Sequence, residues 1–336
     1  MLLEEAILFL LRGSGYSTVD SVNGDPTLTD RGGLLCVRGR GTPHQIDAIA
    51  DFRFPPPFGN PHRLLVEAKL IAGPVGIDVV RNALGVYRDV CEYWVPPAPG
   101  QERPQRPRHH YQYAVFSARG FTRPAQDFAF AQDIYLLTLE KSPFLQPVVA
   151  ATEALADLLA NAMSLPGADI PPLSTIRGMI RSELMRAEQQ VDIRVWALPA
   201  AMPDGPARWG QYIDSCRAIG FGLLGMLQSR LPILLVPREG ISNEDIQPSQ
   251  HARIHWDTAG WYLRVRDREL FSFSLPGELR EQYEQSGLLT AERALDLKHE
   301  QLGRIIAVQN LNDGSARFIE FVLDGDWLAE LRRGHD

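Results

Sequence analysis

The sequence predicts an α/β chain: a mixed sheet flanked by helices over residues 1–142, followed by a separate α+β domain over residues 148–336. Three observations carry this. Two strand-like runs, His44–Phe52 and Arg63–Leu70, are joined by a Pro-rich turn from Pro55 to Pro61, which reads as a hairpin. A strand, helix, strand run from Tyr111 to Leu139 implies a right-handed parallel crossover, so the sheet mixes both kinds of pairing. The stretch Ser142-Pro143 to Pro147 then reads as a domain boundary.

Each element has its own reason. Leu2 to Arg12 is a helix stopped by Gly13 and Gly15, and it is apolar nearly all round except at Glu4 and Glu5, the pattern of a buried helix. Residues 20–33 are rich in Asp, Gly, Thr and Asn and read as a loop. Leu34–Arg38 is a strand, and Gly39-Arg40-Gly41-Thr42 turns it into the next run. Between Val75 and Trp94 the apolar positions Ile77, Val80, Leu84, Tyr87, Cys91 and Trp94 recur at helical spacing. Val95 to His110 is Pro-rich and basic, with Arg103, Arg106 and Arg108; it is either an arm that grips a phosphate backbone or a plain loop insertion. Tyr111–Ser117 is a strand, Thr122 caps a helix to Gln132, and Ile134–Leu139 is a buried strand.

The chemistry lies on the hairpin. Alternate strand residues share a face, so Glu67 and Lys69 lie together, about 7 Å apart along the strand. Gln45, Asp47, Ile49 and Asp51 share a face of the other run, and pairing the two strands brings Asp47 beside Glu67. Two carboxylates about 4 Å apart repel by roughly 4 kcal/mol at an effective dielectric near 20. A divalent cation removes that cost, and all-oxygen ligands favour magnesium or manganese. An isolated Glu-x-Lys is an ordinary surface ion pair. Here it ends an apolar strand, with an Asp one strand earlier and a long amphipathic helix after it, which favours a metal site in which Lys69 orients or helps to deprotonate a water.

At these residues the chain resembles the PD-(D/E)xK nuclease superfamily, and within it the Mrr-like restriction endonucleases: a helix bearing Glu, a hairpin bearing Asp and then Glu-x-Lys, a second helix, and two strands separated by a helix. The resemblance covers about residues 1–142 and implies a restriction-endonuclease-like sheet. It places Asp47, Glu67 and Lys69 in the active site, with Mg2+ (Mn2+ substituting) held by Asp47, Glu67 and the carbonyl of Ala68. Glu4 either reaches this metal or caps its own helix, where a carboxylate faces the positive end of the dipole. Gln45, His44, Arg81 and Arg40 are the candidate nucleic-acid contacts. His44 reads more readily as a strand-edge residue than as a ligand, and Asp51 lies further from the metal.

The chain has 336 residues, 45% hydrophobic and 22% charged, with a net charge of -7, a globular composition long enough for two domains. The charge is uneven: residues 31–123 carry 13 Lys and Arg against 7 Asp and Glu, the sign that phosphate contact requires. Three scattered cysteines, Cys36, Cys91 and Cys216, form no metal or disulfide spacing and suggest a reducing, cytoplasmic location. No basic leader or membrane-spanning run is legible.

The second half reads as amphipathic helices at Val148–Met163, Ser174–Gln189 and Trp209–Leu231. Strand runs follow at Ile233–Val236, Ala252–Trp256, Trp261–Arg266 and Leu270–Ser274, then a helix at Leu289–Gln301 and a hairpin of Ile305–Leu311 with Ala316–Leu323. No chemistry is legible in it, and a sensor, partner-binding or dimerisation role fits equally. The expected function is a metal-dependent endonuclease acting on DNA, in restriction or antiphage defence, as a dimer or with a partner protein through the C-terminal half, since cutting both strands needs two sites. An RNA nuclease of the same fold, and a ligand-gated or inactive nuclease fold that only binds nucleic acid, are the alternatives.

Overall fold

A computed structural model describes residues 1–54, 57–94, 99–100, 109–139, 145–164, 170–185, 204–220, 222–238, 241–257, 260–277, 279–280, 291–311 and 315–333. The chain divides into two compact units, the first drawn from residues 1–220 and the second formed chiefly by residues 221–336.

The first unit opens with α1 (Leu2–Gly13) and β1 (Tyr16–Val19). A small antiparallel sheet follows, made of β2 (Leu28–Arg31), β3 (Leu34–Arg38) and β4 (Pro43–Gln45). Then come β5 (Ala48–Phe52), β6 (His62–Lys69), α2 (Ile77–Cys91), β7 (His110–Ser117), α3 (Arg123–Ala131) and β8 (Ile134–Thr138). The principal sheet has the order β1-β5-β6-β7-β8. Its β1, β5 and β6 pair antiparallel, whereas β6, β7 and β8 run parallel. This is the mixed sheet that the hairpin and the crossover predict.

The alternation along the strands explains how both faces are covered. Ile49, Leu65, Tyr113 and Val115 pack in one cluster with Val80, Ala83 and Val90 of α2 and Ala125 and Ala129 of α3. The residues of opposite parity, Ala48, Ala50, Leu64, Val66, Ala114 and Phe116, are buried as well.

Two local expectations are corrected. Residues 20–33 are not all loop, because β2 forms there on the edge of β3. The run His44–Phe52 is not one strand: it breaks at Ile46 and Asp47, so β4 pairs with β3 and β5 joins the principal sheet. The break lets Ile46 turn into the core and leaves Asp47 at the head of β5. The basic residues Arg103, Arg106 and Arg108 lie outside the described residues.

Helices α4 (Gln146–Ser164), α5 (Leu173–Leu184) and α6 (Gly205–Gly220) belong to the first unit, so the division falls near residue 220, not at 142–148. The reason is the composition of α1. Leu2, Leu3, Leu8, Leu10 and Leu11 are all buried, and a helix apolar all round needs cover on every side. Tyr212 of α6 donates to the Leu2 carbonyl at 2.8 Å, and a Cβ on Gly220 would fall 2.2 Å from the Phe9 ring. On α5, Arg181 donates twice to Glu5, at 2.7 and 2.9 Å.

The second unit is a closed barrel of seven strands, in the order β10-β13-β12-β11-β15-β14-β9. They are β9 (Leu223–Leu227), β10 (Pro232–Pro237), β11 (Ser249–Asp257), β12 (Gly260–Val265), β13 (Arg268–Phe273), β14 (Arg304–Asn310) and β15 (Ala316–Leu323). Two further helices are α7 (Ala291–Leu302) and α8 (Gly325–Arg333). Among the described residues, closure pairs each strand of the barrel with a neighbour on both sides. All neighbours are antiparallel except β11 and β15, which run parallel, and Phe271, Phe273 and Phe321 are fully buried in the core. The expected helix Trp209–Leu231 is corrected: α6 ends at Gly220 and Leu223–Leu227 is the strand that closes the barrel. Among the described residues no helix is long and apolar enough to cross a membrane.

The hairpin is fixed by a buried cation. Arg63 of β6 donates to Asp51 of β5 at 2.6 and 2.8 Å, to Asp25 at 2.9 Å and to Thr27 at 3.0 Å. Despite the cost of burying both groups, these partners hold Arg63 protonated and Asp25 ionised, the former raised and the latter lowered from its ordinary pKa. Breaking a buried pair by removing one partner leaves the other charges uncompensated. Arg63→Met is therefore expected to destabilise the protein by about 3 kcal/mol in urea unfolding; a loss within experimental error would show that the pairs do not hold the hairpin.

Candidate functional site

The β5–β6 register pairs Ala48 with Val66 and Ile49 with Leu65. One step beyond Ala48 stands Asp47, within electrostatic reach of Glu67. Asp47 has left the regular strand, and its Oδ2 accepts the Ala68 backbone N–H at 2.9 Å. Glu67 and Lys69 share a face as the strand period requires, and their side chains meet: Lys69 Nζ lies 2.5 Å from Glu67 Oε1. The other oxygen, Oε2, accepts the Tyr113 hydroxyl at 3.0 Å. Tyr113 comes from β7, whose register sets it beside Leu65. That strand places it on the Glu67 face, a signal already present in the alternation of Tyr111–Ser117.

Glu4 comes from the first turn of α1 and lies within electrostatic reach of Asp47. Its Oε1 lies 2.7 Å from the Met1 amine and its Oε2 2.5 Å from Arg177 Nη2. Met1, Glu4, Gln45, Asp47, Arg177 and Arg181 all line one cavity of about 590 Å³. Sequence reasoning missed Arg177 and Arg181. The signal was a pair of arginines four residues apart on a helix with apolar Ile176 and Ile180 beside them, facing an otherwise apolar helix with two glutamates.

Burial pushes the Asp47 carboxyl up from its ordinary range, and the charges of Glu4 and Glu67 push it the same way; the Ala68 N–H and Lys69 oppose them. Tyr113 is likewise raised, by burial first and then by Glu67. The site thus crowds carboxylates into a partly dehydrated end of the sheet. Each is met by an internal partner: Glu4 by Arg177 and the Met1 amine, Glu67 by Lys69 and Tyr113, Asp47 by a backbone donor. Among the described residues, no group of three or more His, Cys, Asp or Glu is placed to hold a metal ion.

Of the four candidate nucleic-acid contacts, Gln45 lies beside Asp47 in the cavity wall. His44 Nε2 is 2.7 Å from Asp89 of α2. The same carboxylate accepts the Gly41 N–H at 2.8 Å, and a Cβ on Gly39 would come within 2.0 Å of it, so the turn before β4 is wrapped on α2. Arg40 pairs with Glu92 at 2.7 Å on the exposed side of that turn. Arg81 stands exposed on α2, 3.5 Å from Asp78 and over the Phe128 ring. Asp51 is committed to Arg63. Asp47, Glu67, Lys69 and Glu4 are therefore brought together; His44, Arg40 and Arg81 are placed along α2.

A raised carboxyl favours the folded state most when it is protonated. For Asp47 that stability is fully present below the unfolded pKa, near 3.8, and is lost as pH rises through the folded value. Asn mimics the protonated form and keeps an oxygen for the Ala68 N–H. In chelator, Asp47→Asn is expected to melt above the parent protein at pH 7, with the gap closing towards pH 3. A lower melting temperature for the variant at pH 7 would show that the crowding is not a strain on the fold.

No family model matches the chain, and no curated protein matches it. Among solved structures, a crystallised protein of unknown function superposes on 65% of this chain and 97% of its own length, at 16% identity and a TM-score of 0.32; a likeness this slight carries no argument about fold or function.

Proposed function

We propose that the chain is a metal-dependent nuclease of the PD-(D/E)xK kind, hydrolysing phosphodiester bonds in DNA. The observation that carries this reading is the meeting of β5 and β6, where Asp47 accepts the Ala68 N–H at 2.9 Å while Lys69 reaches Glu67 on the same face. The donor chemistry fits a hard divalent cation: Asp47, Glu67, the Ala68 carbonyl and Glu4 are all oxygen donors, and Asp47 is both partly buried and crowded by the charges of Glu4 and Glu67. Magnesium or manganese bound there would neutralise the carboxylates and polarise a phosphoryl oxygen.

The chain's own residues account for the remaining work. Asp47 and Glu67 would hold the cation, which when bound would supply charge to position the scissile phosphate. Lys69, with 29% of its side chain exposed, donates to the attacking water and to the phosphoryl oxygens as charge develops on them. The water oxygen bonds to phosphorus while the bond to the leaving oxygen breaks; the water gives up a proton to solvent, and the leaving oxygen, departing with the bond's electron pair, takes one up from solvent. Tyr113 orients Glu67 by its hydroxyl. The net positive stretch 31–123 attracts the phosphate backbone. Restriction or antiphage defence is the setting we infer, with a second copy or a partner protein supplying the second strand's site.

Supercoiled plasmid with magnesium or manganese tests the reading directly. The parent protein is expected to nick and linearise it, chelator to stop it, and Asp47→Ala and Lys69→Ala each to lower the rate by about a hundredfold or more. Cutting by all three proteins alike would place the activity elsewhere, and binding of the plasmid without cutting by any would mark a nucleic-acid-binding module.

A further inference from the structure

We propose that Arg177 of α5 is an internal counter-ion for Glu4 that competes with the metal, and that it turns to the substrate phosphate once the metal takes Glu4 over. The proposal rests on the nuclease reading and concerns how its site is loaded.

Four observations carry it. Arg177 Nη2 lies 2.5 Å from Glu4 Oε2, and its Nε lies 3.1 Å from Glu5 Oε1. Glu5 has a second cation of its own: Arg181 donates to both its oxygens at 2.7 and 2.9 Å. The buried Glu5 therefore stays neutralised if the Nη2 end of Arg177 is released. Third, Arg177 and Glu4 line the same cavity of about 590 Å³ as Asp47 and Gln45. Fourth, a third of the Arg177 side chain is exposed, so the guanidinium can reach a ligand in the cavity without leaving a closed core.

The two states differ in who neutralises Glu4. Without metal, Arg177 spans Glu4 and Glu5, and the Met1 amine shares Glu4. A divalent cation held in the site with Glu4 among its ligands would weaken the attraction of Glu4 for Arg177. The guanidinium keeps Nε on Glu5 and presents its other nitrogens to the cavity. A guanidinium fork suits a phosphate oxygen pair, which a lysine would meet as a point charge. Arg177 would thus hinder metal entry and then help to hold the nucleic-acid backbone, making full occupancy depend on both.

The test titrates Mn2+ into the full chain and follows the free aqua ion by electron paramagnetic resonance. Arg177→Met, which keeps the aliphatic stem, is expected to bind Mn2+ about tenfold more tightly than the parent and, at saturating Mn2+, to cut plasmid at least tenfold more slowly. Arg177→Lys keeps a charge on Glu4 and is expected to bind Mn2+ as the parent does. In Glu4→Gln the additional Arg177→Met change should give no gain, because the gain acts through Glu4. Circular dichroism checks that each variant is folded. Equal affinity in the parent and in Arg177→Met, or a gain that persists in Glu4→Gln, would overturn the counter-ion role while leaving the nuclease reading intact. Binding that is equally absent from the parent and from Arg177→Met would overturn the nuclease reading and this role with it.

Discussion

A carboxylate taken out of water must be met by a cation or a donor, and the first unit is arranged around that requirement. Asp51 and Asp25 meet Arg63; Glu5 meets Arg181 and Arg177; Asp89 meets His44 and the backbone of its preceding turn. Each of these clusters joins segments that are apart in sequence. Arg63 ties the hairpin to the segment before β2, Arg181 ties α5 to α1, and Asp89 ties α2 to the turn before β4. The apolar core gives the unit its cohesion, while the paired charges fix where the segments stand relative to one another, and so where Asp47 and Glu67 meet.

The parts of this arrangement legible in sequence are those set by short-range rules. Strand parity places Glu67 with Lys69, and a hairpin requires Asp47 to come back beside them. The helix over Val75–Trp94, observed as Ile77–Cys91, follows from its spacing, and so do the parallel strands β7 and β8 around α3. What parity alone misjudged was Gln45. The break at Ile46 and Asp47 puts β4 in another sheet, so Gln45 reaches the site from the cavity wall and not as a strand neighbour of Asp47.

The illegible parts depend on partners remote in sequence. Nothing local in Leu173–Leu184 says that its arginines meet glutamates some 170 residues earlier, and a Pro-rich interruption at 142–147 is as compatible with a loop inside a domain as with a boundary between two. The barrel was hidden for a related reason. Leu223–Leu227 is apolar and short, and it directly follows a helix, so its period does not separate strand from helix. Only pairing with β10 on one side and β14 on the other decides it. The parallel contact of β11 with β15 spans about 70 residues and leaves no local trace.

The candidate site differs from the structural ion pairs in one respect. Arg63 and Arg181 each donate through two nitrogens to a carboxylate partner, which completes those clusters. At the head of β5 the partners differ in kind: Asp47 has a backbone N–H, Glu67 one lysine and one hydroxyl, and Glu4 the Met1 amine and an arginine already shared with Glu5. A backbone N–H stabilises a carboxylate but adds no net charge; at Asp47 the cost of partial burial and the repulsion of Glu4 and Glu67 are opposed by the Ala68 N–H and by the charge of Lys69. An arrangement selected only for stability would replace Asp47 by a neutral residue, since Ala68 needs no more than an oxygen to accept its N–H. The retained charge, beside a solvent-reachable lysine and in the wall of a cavity, fits a site that is completed by something other than the protein.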